Sequence, residues 1–201
     1  MSIGAAQLAA AWLRWCDGMH AAAAELNALD GRLGDGDLGT TLDKCATLIA
    51  QAMATPPDTL EEIFRACTQA SARASGSSFG TLLTVALMTA MRQTAGVATL
   101  DRAALAAMLG EVVATLSARG GANLGDKTVL DGLEAIRVAL LDDAAASEAD
   151  LKATAVGAAR AAIAAFRDKP NRIGRARMFA DKTIGQDDPG MVALLRIVEC
   201  L

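Results

Sequence analysis

Residues 29–41 read LDGRLGDGDLGTT and lie between two segments with helical periodicity. Three carboxylates, Asp30, Asp35 and Asp37, alternate here with four glycines. Carboxylates about 4–5 Å apart repel by roughly 3–4 kcal/mol per pair at an effective dielectric of about 20, so a cation is expected among them. Oxygen ligands suit hard divalent ions, and Mg²⁺ commonly adds substrate phosphate oxygens to a few carboxylates. Because glycines also allow close backbone approach to a ligand, the stretch predicts a metal–phosphate loop.

Two other interpretations of this stretch were weighed. Asp and Gly are ordinary residues of interhelical turns, and a single Asp-Gly pair would indicate only a turn. A calcium EF-hand loop that began at Asp35 would place Ala46 at its twelfth position, where a bidentate Glu is required. The EF-hand is therefore excluded.

The composition favours an all-α protein. The 201 residues are 53% hydrophobic but only 3% aromatic, and alternating β-branched runs are scarce. The length suits one domain, residues 1–201, with a substantial core. The net charge of −4 and the lack of a basic stripe argue against nucleic-acid binding, so an anionic ligand would need local cations.

Targeting and redox features point to a cytoplasmic protein. The four cysteines are scattered singly through helical segments and are expected as buried thiols. The N-terminus lacks a basic-plus-apolar signal. We expect no membrane span, because no segment approaches 18 uninterrupted apolar residues without charge.

Eight helical segments follow from 3.6-residue periodicity and loop punctuation. They cover about residues 5–28, 40–53, 59–73, 78–94, 101–118, 126–141 and 147–166, and a last helix has Asp188 as N-cap and Pro189 at its first position. Helices of this length joined by mostly short loops pack as antiparallel neighbours. We therefore predict an eight-helix antiparallel up-down barrel or bundle.

Four loops, those after helices one, three, five and seven, are the richest in Gly, Ser and charge. In an up-down bundle such loops emerge at the same end, which predicts one composite site there. The second loop offers helix N-terminal N–H groups for an anion, or simply a Ser N-cap. The third loop's Gly120-Gly121 allows close approach of a flat group, or simply caps a helix. The fourth carries a basic cluster that suits a diphosphate or a solvated surface: Arg172, Arg175, Arg177 and Lys182.

Other catalytic signatures are missing from the sequence. It contains neither G-x-x-x-x-G-K-[ST] nor a G-x-G-x-x-G preceded by a strand. The only histidine, His20, lies on helix one with no evident acid–base partner, and we expect it to be structural or exposed. No residue of this chain is predicted to act as a catalytic nucleophile or base.

Taken in order, the four loops resemble the L subunit, or nucleotide-binding domain, of the dihydroxyacetone kinase family. The resemblance covers nearly the whole chain. It rests on D-x4-DGD-x-G from Asp30, on ASG-x-x-FGT from Ala74, on RG-x-A-x-x-GDKT from Arg119, and on GRA from Gly174 followed by IG and DPG.

The resemblance implies an eight-helix antiparallel barrel that holds ADP or ATP at one end. Asp30, Asp35 and Asp37 would ligate two Mg²⁺ ions that bridge the phosphates. Thr81 and residues 126–128 look like loop-framing residues and are left out of the binding set. The other implied nucleotide-binding residues are Leu38, Gly39, Thr40, Thr41, Ala74, Ser75, Gly76, Gly120, Val129, Arg175 and Asp188.

Two positions depart from the family's pattern. Members usually carry His directly after the third aspartate and Asn three positions later, whereas this chain has Leu38 and Thr41. The aspartates are intact, so the departure bears on the partner and the substrate more than on nucleotide–Mg²⁺ binding.

The resemblance also implies a partner. Family members bind the hydroxyketone on a separate K subunit or domain, so this chain would be the nucleotide half of a two-component kinase. An alternative is a non-catalytic module that holds ADP for a phosphotransferase-system phosphoprotein, or that signals to a regulator. A homodimer is a further possibility. A structural bundle with an incidental acidic loop would bind no nucleotide.

Overall fold

The computed structural model describes residues 2–74, 76–142 and 148–201. Within them lie eight α-helices, one 3₁₀ segment (Ala176–Thr183) and no β-strand, so the predicted all-α class is confirmed. The α-helices are α1 (Ala5–Leu33), α2 (Leu38–Ala52), α3 (Leu60–Ala74), α4 (Ser78–Gln93), α5 (Arg102–Gly120), α6 (Val129–Asp142), α7 (Glu148–Phe166) and α8 (Pro189–Cys200).

The helices form a closed ring. Each helix packs against the next one along the chain, and α8 packs against α1. Buried apolar side chains from all eight helices fill the centre. Near one end of the core, Trp12 meets Trp15 edge-to-face, with ring centroids 5.2 Å apart, and also meets Phe64. The ring places the four odd-numbered connections, α1–α2, α3–α4, α5–α6 and α7–α8, at one end.

The first two helices approach each other unusually closely. Gly39, in the first turn of α2, is buried against α1, where a Cβ would lie 2.7 Å from the Ala23 carbonyl carbon. The contact is with backbone, which cannot rotate away as a side chain could. Glycine at position 39 is thus a requirement of the α1–α2 packing.

The bounds of three helices differ from the expected ones. Helix α1 continues to Leu33 rather than ending near residue 28, because Leu33 is buried and its burial outweighs the helix cost of about 1 kcal/mol for Gly31. Helix α2 begins at Leu38, which is also buried. Helix α6 begins at Val129 rather than near 126, since Lys127 has a φ of 62°. Asp30 consequently lies on a helix and not in a loop.

Helix α5 qualifies the expectation of no membrane span. By length and composition alone, Arg102–Gly120 is apolar enough to cross a membrane. It packs in the ring between α4 and α6 and buries a stripe that includes Val112 and Leu116. A helix from the core of a folded domain passes the same test of length and composition.

The cysteines are free thiols, as expected. Cys16, Cys45 and Cys67 are buried, and Cys200 is half-buried beside Gly18. Burial raises the pKa of the Cys16 thiol to about 11.

Candidate nucleotide and metal site

A cavity of about 530 Å³ opens at the end of the ring where the odd-numbered connections lie. Each of the four connections contributes to its wall: Asp35 and Asp37 from the first, Ser77 from the second, Thr128 from the third and Arg175 from the fourth. The convergence inferred from up-down topology is therefore present in the structure.

Three carboxylates stand together on one side of this cavity. Asp30, Asp35 and Asp37 each offer an oxygen, and these atoms all lie within 4.8 Å of one another. Asp30 projects from the last turn of α1, where its Oδ2 accepts a 3.1 Å hydrogen bond from the Asp37 N–H. A Cβ at Gly34, in the turn between them, would lie 2.6 Å from Asp30 Oδ1, so a larger residue there would push the Asp30 carboxylate aside. The backbone thus brings the first and third carboxylates together.

Within the part of the chain that the structure describes, one guanidinium pairs with these carboxylates. Arg175 Nη1 pairs with Asp35 Oδ2, and both side chains are about half exposed. Arg175 lies just before the 3₁₀ segment, so the fourth connection folds back over the first. Hard oxygen donors at this spacing are what Mg²⁺ prefers, and the donor set fits that ion. The arrangement provides a cation site with an arginine beside it.

The opposite wall of the cavity is mostly apolar. It combines α4, α5 and α6 side chains with the first turn of α8. Gly120, at the end of α5, adds no side chain, so a flat group could approach the backbone. The apolar residues of this wall are Phe79, Leu82, Leu116, Val129, Leu130 and Pro189.

The N-terminus of α4 lies at the same cavity. Ser77 caps the helix, and its Oγ accepts from the Gly80 N–H at 3.2 Å. Ser78 and Phe79 form the first turn and line the cavity. First-turn N–H groups lack partners within the helix and favour anions. The Thr41 hydroxyl donates to Ser77 Oγ at 3.0 Å, which ties α2 to this turn.

Lys127 holds the long fourth connection in place. Its side chain is fully buried, and Nζ donates to three backbone carbonyls, those of Arg167 (3.0 Å), Lys169 (2.8 Å) and Thr183 (2.8 Å). Burial lowers the pKa of this ammonium. The role of Lys127 as a loop-framing residue, expected from the sequence, matches this geometry.

Asp188 closes the cavity next to this anchor. It caps α8 by accepting from the Met191 N–H at 2.9 Å, as predicted, and it accepts from Asn171 Nδ2 at 2.8 Å. The same amide donates to the Lys127 carbonyl. Burial raises the pKa of Asp188 to about 6, although the Met191 and Asn171 hydrogen bonds oppose that change.

The structure brings most, but not all, of the predicted residues to the cavity. Gly39 packs against α1, Thr40 exchanges hydrogen bonds with Asn27, and Thr41 bonds to Ser77. Ala74 and Gly76 do not line the cavity, and Ser75 lies outside the described residues. The eight that line it are Asp30, Asp35, Asp37, Leu38, Gly120, Val129, Arg175 and Asp188.

Several cavity residues lie outside the set of nucleotide-binding residues that the resemblance implied. Arg119 adds a second guanidinium to the wall. Ser77 and Ser78 also line the cavity, at the helix start where the sequence offered either an anion site or a Ser N-cap. Nothing local marked Asn171, whose contacts are 17 and 44 residues away in the chain.

His20 is exposed, in line with the expectation, but it has a partner that was not evident from the sequence. Its Nδ1 lies 2.6 Å from Asp43 Oδ1 on the neighbouring helix α2, so it does have an ionisable partner. The pair formed because α1 and α2 lie side by side, which places residues 23 apart in contact. Both side chains are exposed and neither lines the cavity.

Comparison with known proteins agrees with this geometry. A family model described as the DAK2 domain matches residues 32–201. Triokinase/FMN cyclase of Bos taurus is 29% identical over 198 residues, which cover 94% of this chain and 33% of that protein. L-erythrulose 1-kinase of Mycolicibacterium smegmatis is 31% identical over 184 residues, covering 89% and 32%. The chain therefore spans about a third of the length of these curated relatives.

The fold also matches solved structures. The native dihydroxyacetone kinase of Citrobacter freundii superposes with a TM-score of 0.77 at 23% identity over 97% of this chain and 34% of that one. The same enzyme in complex with AMP-PNP and Mg²⁺ gives 0.75 at 25% identity over all of this chain and 34% of that one. With its ring of helices, its carboxylate cluster and a family model that spans most of its length, this chain belongs to the DAK2 domain family.

Proposed function

We propose that this chain is the nucleotide- and magnesium-binding part of a kinase for short ketoses. The observation that carries the proposal is the carboxylate cluster beside Arg175 at the mouth of a largely apolar cavity. The C. freundii dihydroxyacetone kinase solved in complex with AMP-PNP and Mg²⁺ matches this chain over its whole length and over 34% of its own.

In this proposal Asp30, Asp35 and Asp37 hold two Mg²⁺ ions, and ADP or ATP fills the cavity. When bound, the metal supplies charge neutralisation for the phosphates. The chain's own residues position the nucleotide. Arg175 donates to phosphate oxygens, and the first-turn N–H groups of α4 bind a second phosphate.

The remaining walls receive the base. Val129 and Gly120 line the cavity, and in this proposal they contact the faces of the adenine ring. Asp188 and Pro189 complete the enclosure on the α8 side. Phosphoryl transfer depends mainly on positioning and electrostatic stabilisation, so this chemistry does not require a nucleophile from the protein.

Calorimetric titration with Mg·ADP tests the metal site. Asp35→Ala with Asp37→Ala should weaken magnesium-dependent binding by about 100-fold or more, since metal ligands themselves are lost. Asp17→Ala with Asp58→Ala is the matched control, because it removes two exposed carboxylates away from the cavity. Equal affinity in the two double variants would refute the site.

In this proposal the phosphoryl acceptor, a short ketose, is bound by a separate subunit or domain. The relatives' names include dihydroxyacetone kinase, triokinase and erythrulose kinases, which are several times longer than the matched region. We infer that a K-type subunit or domain binds the ketose and that this chain alone phosphorylates slowly. Mixing the chain with a K-type subunit, ATP and dihydroxyacetone or erythrulose should give ATP consumption that neither protein gives alone.

A non-catalytic role is the alternative. Leu38 presents an apolar side chain to the cavity, and Thr41 is engaged with Ser77, so both departures from the family pattern remove polar groups from the site. In this role the chain would keep ADP bound and pass phosphate from a phosphotransferase-system phosphoprotein. It would then bind Mg·ADP but consume no ATP with any K-type subunit.

A further inference from the structure

A second cleft lies on the outer surface of the ring. It has a volume of about 480 Å³, and none of its lining residues is shared with the nucleotide cavity. Helix α8 supplies Val192 and Leu195, while α1 and α7 supply Leu29 and Ile163. Val192, Leu195 and Ile163 are buried, so they make an apolar floor. The volume lies within the range of about 300–1,000 Å³ typical of small-molecule sites.

Guanidinium groups dominate the walls of this cleft. Arg32, Arg160, Arg167 and Arg196 line it, against two lining carboxylates. Arg167 is held by both oxygens of Asp187 at 2.8 Å, and Arg196 by both oxygens of Glu25 at 2.7 and 2.9 Å. These two arginines are fully engaged and frame the cleft.

The other two arginines are less well neutralised. Arg160 pairs with Glu199, but that carboxylate also accepts from Arg196 Nη1 at 2.7 Å. Arg32 is exposed and has neither a hydrogen bond nor an ion pair within the described ranges. The four guanidiniums thus have three carboxylates as ion-pair partners, Asp187, Glu25 and Glu199, and within the described ranges Arg32 is left without one.

We propose that this cleft binds a small organic oxyanion, a carboxylate or a phosphate ester, that carries a compact apolar body. Arg32 and Arg160 receive the oxyanion, since guanidinium groups bind such groups through two parallel hydrogen bonds. The apolar floor receives the body. The site is separate from the nucleotide cavity, so it does not rest on the function proposed above.

Nuclear magnetic resonance titration of the whole chain tests the proposal with three probes: phenyl phosphate, benzoate and inorganic phosphate. The first two should shift signals around residues 29–32 and 160–167. Inorganic phosphate, which has no apolar body, should bind at least about tenfold more weakly. Arg32→Ala with Arg160→Ala should weaken phenyl phosphate binding by about tenfold or more.

Arg175→Ala is the matched control, because it removes one guanidinium from the nucleotide cavity and leaves the cleft intact. It should leave benzoate binding unchanged. If the Arg32 and Arg160 double variant melts at a lower temperature, Arg32→Lys with Arg160→Lys replaces it and should still bind more weakly than the wild type. The proposal would be overturned if none of the three probes shifted the signals, or if the cleft variants bound phenyl phosphate as tightly as the wild type. Loss of benzoate binding in Arg175→Ala would overturn it as well.

Discussion

Replacing Lys127 by Met would remove the charge that holds the fourth connection while keeping a side chain of similar length. The ammonium donates to three carbonyls contributed by residues 40 to 56 positions away. Two of these carbonyls keep a second donor in the variant: Arg167 O accepts from Gly185 N at 2.9 Å, and Thr183 O from Gln186 N at 3.2 Å. Among the hydrogen bonds that the structure describes, the Lys169 carbonyl has no second donor, so it alone of the three is left unpaired in the variant.

The magnitude follows from these contacts. Hydrogen bonds to a charged group are worth about 1.5–3 kcal/mol each, but burying the ammonium already costs several kcal/mol, which the variant recovers. One orphaned carbonyl costs about 1–3 kcal/mol, and the loosened connection adds to that. We expect the free energy of unfolding to fall by about 2–3 kcal/mol and the melting temperature by about 4–12 °C.

Urea denaturation and hydrogen exchange measure the effect. Peptides covering residues 167–188 should exchange faster in Lys127→Met, while those from α2 and α3 should change less. Lys182→Met is the control, because it makes the same chemical change at an exposed side chain of the same connection. If the two variants unfolded at the same urea concentration, and residues 167–188 stayed equally protected, Lys127 would not be the anchor described here.

Three further predictions concern pH, packing and metal. Asp188 has a native pKa of about 6 against an ordinary 3.8, so the native state retains a proton between these pH values and the free energy of unfolding falls by about 2 kcal/mol as the pH rises from 4 to 7. Asp188→Asn should abolish that fall, and an unchanged pH profile of the unfolding free energy would contradict the assignment. Gly39→Ala should lower the free energy of unfolding by about 1–3 kcal/mol or more, because the new Cβ would contact the Ala23 backbone. Gly157→Ala, where a Cβ has open space, should raise it by about 0.5–1 kcal/mol, and thermal denaturation of both variants measures the difference. Millimolar Mg²⁺ should raise the melting temperature relative to EDTA in the wild type but not in Asp35→Asn, and an equal rise in both would argue against metal binding at this carboxylate.

The ring and the end at which the cavity opens could be predicted because both follow from local patterns. Apolar periodicity marked eight helices, and short connections between them required antiparallel neighbours. Because Asp35 and Arg175 lie on connections that follow odd-numbered helices, both could be assigned to the same end of the ring before any contact was known. Helix ends were predicted less well: α1 was expected to end near residue 28, but the burial of Leu33 extends it through Gly31.

The interior of the fourth connection could not be predicted in the same way. Its course depends on Lys127 and Asn171, whose partners are 17 to 56 residues distant. No periodicity encodes contacts of that kind. The same limit explains the missed pairing of His20 with Asp43, and the inward packing of Gly39, which the sequence presented as one more flexible glycine.

The walls of the main cavity come from positions as far apart as Asp30 and Gly190, so the cavity is complete only when the last helix has docked against the first. A molecule held by every wall at once would have to be released before any neighbouring pair of helices could separate. A bound ligand would therefore slow amide exchange in every helix of the ring. A truncated chain that ended before residue 188 would lack the α8 part of the cavity wall and would lose this effect.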